Sequence, residues 1–434
     1  MADHPIVPIL RIPFSSEDKE FIASGIARVL ASGTLTMGPR TSEFEEMFAT
    51  YVGAKYCVAT SNGTSALEVI LRALGIRDRS VVVPTNTFLA TALAVIHSGN
   101  RVAFADSDPA TLCLDPKDLR RRMREDTAAV IIVHVGGIIT PALGEIQQIC
   151  AEFGIPLIED CAHAHGCSID GRRAGTLGIA GAFSFFPTKV LVMGEGGAIT
   201  TNDEELRRRA NIIRNQGKDP AQGNHIAEVG HNFRMSEITA VLGLQQLARA
   251  DALVRDRQRI AARYDELLEA VNGIRVVAIP KGVRSSYYKY VAYLPDGCDR
   301  DKLKLLLKER YGVWLTGEVY ADPCHAEPIW ERYTLCGAER FAGAPRCLLW
   351  PACGCDMPPG DFPGASRLSA SHICLPVYPG LTEAEISRVV ESLPRRLPSV
   401  EHGPVRSPDL LRRVVGEPSR PSECRLWSAE SPRS

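Results

Sequence analysis

The sequence predicts an α/β fold, with a large domain on a mainly parallel central sheet and a smaller α/β domain at the C-terminal side. Three observations carry this. Between Val58 and Thr200 short β-rich runs alternate with helix-like stretches, the pattern left by strand–helix–strand units. The 434-residue length exceeds one domain of common size. Apolar residues at 45% and charged residues at 23% give the balance of an ordinary globular protein, ample for a buried core.

Taken in order, the expected strands are Tyr56–Thr60, Ser80–Pro84, Arg101–Ala105, Ala129–Val133, Pro156–Glu159, Ala182–Phe186 and Gly197–Thr200. Leu67, Ile70, Leu71 and Leu74 recur at i, i+3, i+4, i+7, and Ile146, Ile149, Cys150 and Phe153 nearly so; both segments read as amphipathic helices. A long helical stretch runs from about Met235 to Val271, rich in Ala, Leu, Arg and Glu. The pattern then changes to short strands such as Tyr288–Tyr293 and helices such as Arg300–Arg310 and Thr382–Ser392. The expected organisation is an N-terminal segment (1–15), a large domain (16–271), a small domain (272–397) and a disordered tail (398–434) dense in Pro, Ser and Arg.

A formal net charge of −1 offers no electrostatic reason to expect nucleic acid or a membrane surface as partner. Met1–Pro13 lacks a basic stretch followed by an apolar core, and no later segment has the long uncharged run of a bilayer span, so the expected location is cytoplasmic. The 13 cysteines are odd in number and scattered, as reduced, buried thiols would be. Cys336, Cys347, Cys353 and Cys355, with His325 and His372 not far away, include no C-x2-C pair of zinc spacing, so local packing is preferred and no metal is expected.

Three segments carry chemistry. The apolar strand before Ile158-Glu159-Asp160 ends in a carboxylate, where ligands sit in open α/β sheets; an Asp there also serves as a helix cap. Lys189 follows the hydrophobic run Ala182–Pro187 and precedes Gly194-Glu195-Gly196-Gly197. Without flanking charges, partial desolvation would make its amine nucleophilic, which Schiff-base chemistry requires. In Ser61-Asn62-Gly63-Thr64-Ser65 a strand gives way to a helix whose first N–H groups suit a phosphate, although such residues also cap helices that bind nothing. A phosphate cradle, a carboxylate and a lysine occur here in an order that enzymes of pyridoxal phosphate (PLP) use.

The chain resembles the DegT/DnrJ/StrS family of PLP-dependent aminotransferases from about Pro13 to Leu393. The likeness is carried by Ala31-Ser32-Gly33 with Gly38-Pro39, Phe44-Glu45, Asn62-Gly63-Thr64-Ser65-Ala66-Leu67 and Pro84-Thr85-Asn86-Thr87-Phe88. It continues through Glu159–Gly166, Ser184–Lys189, Gly194–Gly197 and Asn232-Phe233-Arg234-Met235. The resemblance implies a PLP-dependent transferase type I fold and a homodimer with active sites at the subunit interface. It implies Lys189 as the Schiff-base lysine and Asp160 as the partner of the ring nitrogen. Gly63 and Thr64 match the backbone phosphate cradle, Ser184 a hydroxyl phosphate ligand, Asn232 the phosphate ligand given by the other subunit, and Phe88 the aromatic on the ring.

The activity implied is transfer of an amino group from glutamate or glutamine to a cyclic ketone, chiefly a nucleotide-linked keto-sugar. His163 stands where most sugar aminotransferases carry Gln, as it does in the 3-amino-5-hydroxybenzoate synthase branch, so an aromatising lyase is the second reading. A non-catalytic PLP-binding regulator is the third. The stretch Val133-His134-Val135-Gly136-Gly137 lacks a Tyr that often precedes the final Gly, and His231 replaces a common Tyr. His325 matches a motif of the acceptor pocket, and Arg234 could bind a donor carboxylate or orient its loop.

Overall fold

The computed structural model describes residues 5–315, 317–330 and 362–393. The four cysteines of the candidate cluster and the expected tail lie outside them.

Helices α1 (Ser16–Ser32) and α2 (Pro39–Val52) precede the sheet. Strands β1 (Tyr56–Thr60), β2 (Ser80–Pro84), β3 (Arg101–Ala105), β4 (Thr127–Val133) and β5 (Leu157–Asp160) follow, separated by α3 (Gly63–Ala73), α4 (Leu89–His97), α5 (Pro116–Arg122) and α6 (Leu143–Glu152). A short hairpin, β6 (Ser168–Ile169) with β7 (Arg172–Arg173), leads to β8 (Ala180–Ser184) and β9 (Gly197–Thr201), and then α7 (Glu204–Arg214). Seven strands form one sheet in the order β1-β9-β8-β5-β4-β2-β3. Only β9 runs against its neighbours; β2, β3, β4, β5 and β8 pair in parallel.

Alternation along each strand feeds two cores. Val82, Val130 and Ile132 enter one apolar cluster with Phe44, Phe48 and Phe183, whereas Val81, Val83, Ile131 and Ile158 enter another with Leu67, Ile70 and Leu71. Both faces are therefore covered, which is why these strands read as continuous apolar runs. The apolar run at 182–186 outlasts its strand. Phe185 is fully buried as a loop residue whose N–H bonds Gly196 O at 2.9 Å, packed edge-on to Phe44 and Phe48.

The expected single long helix is two, α8 (Glu237–Ala248) and α9 (Ala250–Leu268), broken at Arg249 (φ −114°, ψ 11°). No Gly or Pro marks the break. The guanidinium of Arg249 instead reaches back to Asp18 and Pro13 O, contacts no local propensity encodes.

Beyond α9, α10 (Arg300–Tyr311), α11 (Pro363–Ser371) and α12 (Glu383–Glu391) accompany short strands. Three of these, Arg275–Val276, Tyr290–Tyr293 and His372–Leu375, form an antiparallel sheet. Ile260 and Tyr264 of α9, Leu303 and Leu307 of α10 and Ile386 of α12 share an apolar core with Tyr290 and Ile373. No helix among the described residues is long and apolar enough to cross a membrane. Eight described cysteines are unpaired, seven of them buried.

Candidate active site

The parallel strands end on one side of the sheet, and a cleft of about 560 Å³ opens there. It is lined by Gly63 and Thr64 after β1, Phe88 and Thr91 at the start of α4, Asp160 at the tip of β5, Ser184 at the end of β8 and Lys189 beyond it.

The cradle begins with a capping box at α3. Asn62 Oδ1 accepts from Ser65 N–H at 2.8 Å and Ser65 Oγ from Asn62 N–H at 3.2 Å. Ser65 is thereby consumed by the cap, and among the described residues no acceptor meets the N–H groups of Gly63 and Thr64. Those groups stand at the positive end of an eleven-residue helix and face the cleft. A Cβ on Gly63 would lie 2.7 Å from Ser184 Cβ and 3.3 Å from its Cα, so glycine is what lets the helix start rest on β8. Gly197 does the same from β9, where a Cβ would fall 2.2 Å from Asn62 O.

Asp160 is buried at the cleft floor. Its Oδ2 accepts from Thr91 Oγ1 at 2.8 Å and its Oδ1 from Ala162 N–H at 3.0 Å. Thr91 is in turn 2.7 Å from Thr87 Oγ1. Among the described residues each carboxylate oxygen thus has one protein partner, which leaves spare acceptor capacity. The neighbouring Glu159 points away from the cleft and is spent on structure. It accepts from the N–H groups of Gly175, Leu177 and Gly178 at 2.7–2.8 Å and lies 2.9 Å from His134 Nε2.

Lys189 is half-buried, and its Nζ lies over the Tyr288 ring, 5.0 Å from the centroid. His163 stacks on that ring at 3.9 Å and 20°. Burial, then the charges of Lys189 and Lys289, hold the His163 imidazole well below its ordinary pKa, so it is neutral. Gly136 N–H points at its Nδ1 (3.4 Å), which places the ring proton on Nε2, 3.4 Å from Tyr320 Oη. Phe88, 63% exposed, forms the lip of the cleft beside Tyr320, with centroids 6.3 Å apart.

Seven of the residues singled out in the sequence, Gly63, Thr64, Phe88, Asp160, His163, Ser184 and Lys189, line this one cleft. Three do not. Asn232 is exposed and outside the cleft of its own chain, held by a bridge to Asn215. Arg234 hydrogen-bonds Asn215 Oδ1 at 3.0 Å, which orients the loop and keeps it off the cleft wall. His325 is bound through Nδ1 to Thr85 Oγ1, with its ring against Phe362 at 4.4 Å, so it anchors its loop rather than lining the cleft. Thr91, Thr188, Tyr288, Tyr320 and Phe233 line the cleft and were not picked out in the sequence. Thr91 lies three positions into the helix that Phe88 caps, a spacing that puts both on one helix face. No sequence signal marks Tyr288.

Comparison with known proteins points to one family. The family model described as DegT/DnrJ/EryC1/StrS aminotransferase family matches residues 16–348. The dTDP-3-amino-3,4,6-trideoxy-alpha-D-glucose transaminase of Micromonospora megalomicea is 32% identical, covering 86% of this chain and 93% of that protein. Among solved structures, DesV of S. venezuelae in complex with a ketimine intermediate superposes with a TM-score of 0.79 at 29% identity, covering 90% and 98% of the two chains. NtdA of Bacillus subtilis with bound cofactor PMP gives a TM-score of 0.76 at 25% identity, covering 91% and 85%. A match over more than three quarters of the length, with a shared fold, settles the relationship: the chain belongs to the DegT/DnrJ/EryC1/StrS aminotransferase family.

Proposed function

We propose that the chain is a PLP-dependent aminotransferase that passes an amino group from glutamate or glutamine to a cyclic ketone. The acceptor would be a nucleotide-linked keto-sugar, and the product an amino sugar for a secondary metabolite or surface glycan. The observation that carries this reading is the meeting, in one cleft, of the Asp160 carboxylate, the Lys189 amine and the unpaired N–H groups of Gly63 and Thr64. The sugar transaminase among its relatives supports the substrate class, and the PMP in the related NtdA structure, PMP being the amino form of PLP, supports the cofactor.

The residues present fit that cofactor. Gly63 and Thr64 would bind its phosphate through N–H groups that nothing else in the described chain satisfies, with Ser184 Oγ beside them and Asn232 of the partner subunit completing the set in a homodimer. Asp160 would hold a proton on the ring nitrogen, since a fixed anion favours the charged form of a base it faces. Thr91 and Ala162 keep that carboxylate aimed. His163 would donate from Nε2 to the phenolic oxygen, and Phe88 would cover the ring. When bound, the cofactor supplies an electron sink for the negative charge that develops on the substrate carbon. Lys189 tethers the cofactor and, once released, carries the proton at Nζ from the substrate carbon and back. Tyr288 and Tyr320 close the wall against water.

The test is a two-stage titration of the cofactor-loaded protein. Glutamate should convert its visible absorbance to that of the amino form, and one member of a panel of keto-sugars and other cyclic ketones should return it. Failure of every amino donor to change the spectrum would overturn the reading in favour of a PLP-binding protein without turnover.

A further inference from the structure

Tyr288 is tied to the cleft in more ways than its place in the wall requires. One face is stacked on His163 at 3.9 Å. The Nζ atoms of Lys189 and Lys289 lie 5.0 and 5.3 Å from its centroid. Its hydroxyl is 3.3 Å from Thr188 Oγ1, the residue before Lys189. The residue is 8% exposed. A buried phenol that gathers cations and meets no carboxylate among the described residues is an unusual arrangement for a packing residue, because burial alone opposes any charge there.

Resting on the proposed cofactor chemistry, we propose that Tyr288 is a positioning residue for Lys189, its ring and oxygen holding the lysine's ammonium group on the cleft wall whenever that amine is not bonded to the cofactor. The ring face attracts the cation directly. The oxygen adds to this when ionised, and the surroundings favour ionisation. Burial pushes the phenol up, but Lys189, Lys289, the Thr188 hydroxyl and Arg257 together bring it below its ordinary value. The other titratable groups facing it are the neutral His163 and the phenol of Tyr320, which burial keeps protonated. A lysine so held stays within reach of the substrate carbon instead of swinging to solvent.

The test uses the full-length chain freed of cofactor, read by the ultraviolet difference absorbance of tyrosinate during a pH titration. Wild type should show one tyrosine ionising ahead of the rest. Tyr288→Phe should lose that step, and Lys189→Ala should move it upward by about one to two and a half pH units, the size of the interaction if the two charges lie about 5 Å apart at an effective dielectric of about 20–40. A curve unchanged in Tyr288→Phe, or a step that stays put in Lys189→Ala, overturns the proposal. Neither readout needs the cofactor, so a failed glutamate conversion would sink the proposed activity while leaving this result standing.

Discussion

Gly63→Ala is the sharpest single-atom challenge to the site. The added Cβ would stand 2.7 Å from Ser184 Cβ, 3.3 Å from Ser184 Cα and 3.4 Å from Phe183 O. None of these is the far end of a flexible side chain, and all belong to β8, a strand in the middle of the sheet. The start of α3 must therefore move. Overpacking of this kind costs about 1–3 kcal/mol, and because Gly63 is the first residue of α3 no mid-helix propensity gain offsets it, so stability should fall by about that much. The effect on the cofactor should be larger than that figure suggests. The displaced groups are the cradle N–H donors, and a hydrogen bond to a charged group is worth about 1.5–3 kcal/mol. Loss of one predicts PLP binding weaker by about 10- to 100-fold. Denaturant unfolding of the cofactor-free chain gives the first number, and titration with PLP followed by absorbance gives the second. If stability falls as calculated while PLP affinity stays within about two-fold of wild type, the helix start is not the phosphate site.

Thr91→Val keeps the shape but strips Asp160 Oδ2 of its only protein donor among the described residues. Activity should fall at least about ten-fold, from the loss of one charge-assisted bond of about 1.5–3 kcal/mol, and Thr91→Ser should restore most of it; equal activity in the Val variant would remove Thr91 from the machinery. Stability should also fall in mild acid. Burial, with lysine charges nearby, holds His163 well below its ordinary pKa, and burial drives His165 to about 3 and His372 to about 4. Above pH ~6.5 these groups are neutral in both folded and unfolded chains; as pH drops below it only the unfolded chain takes up protons, so stability is lost. Three such groups cost about 4 kcal/mol between pH ~7.5 and ~5.5. Neither nitrogen of His165 has a hydrogen-bond partner among the described residues. His165→Leu should therefore flatten that loss by about a third in denaturant titrations at the two pH values; an unchanged slope would contradict the assignment.

Much of this architecture is written in short-range pattern. β1, β2 and β3 occupy the residues that apolar runs and turn residues indicated, because strands covered on both faces have no polar interruptions to blur their ends. Where the hydrophobic pattern outruns the strand, as at Phe185, burial in a loop mimics burial in a sheet. The break at Arg249 was illegible for a different reason, since its partners Asp18 and Pro13 are more than 200 residues away. The same division holds at the site. Asp160, Lys189 and Gly63 sit at strand ends and helix starts that a sequence displays. Tyr288 reaches the cleft only because the chain beyond α9 folds back beside His163, and nothing local to Ser285–Tyr290 announces it. His325 and Arg234 failed to reach the cleft lining because Thr85 and Asn215 hold them elsewhere.

The claim on which everything rests is covalent and can be read at one residue. The full-length chain should be saturated with PLP, reduced with borohydride, digested and weighed by mass spectrometry. A pyridoxyl group is expected on the peptide containing Lys189, and its disappearance in Lys189→Ala. Label spread over surface lysines, with the peptide at 189 unmodified, would contradict it.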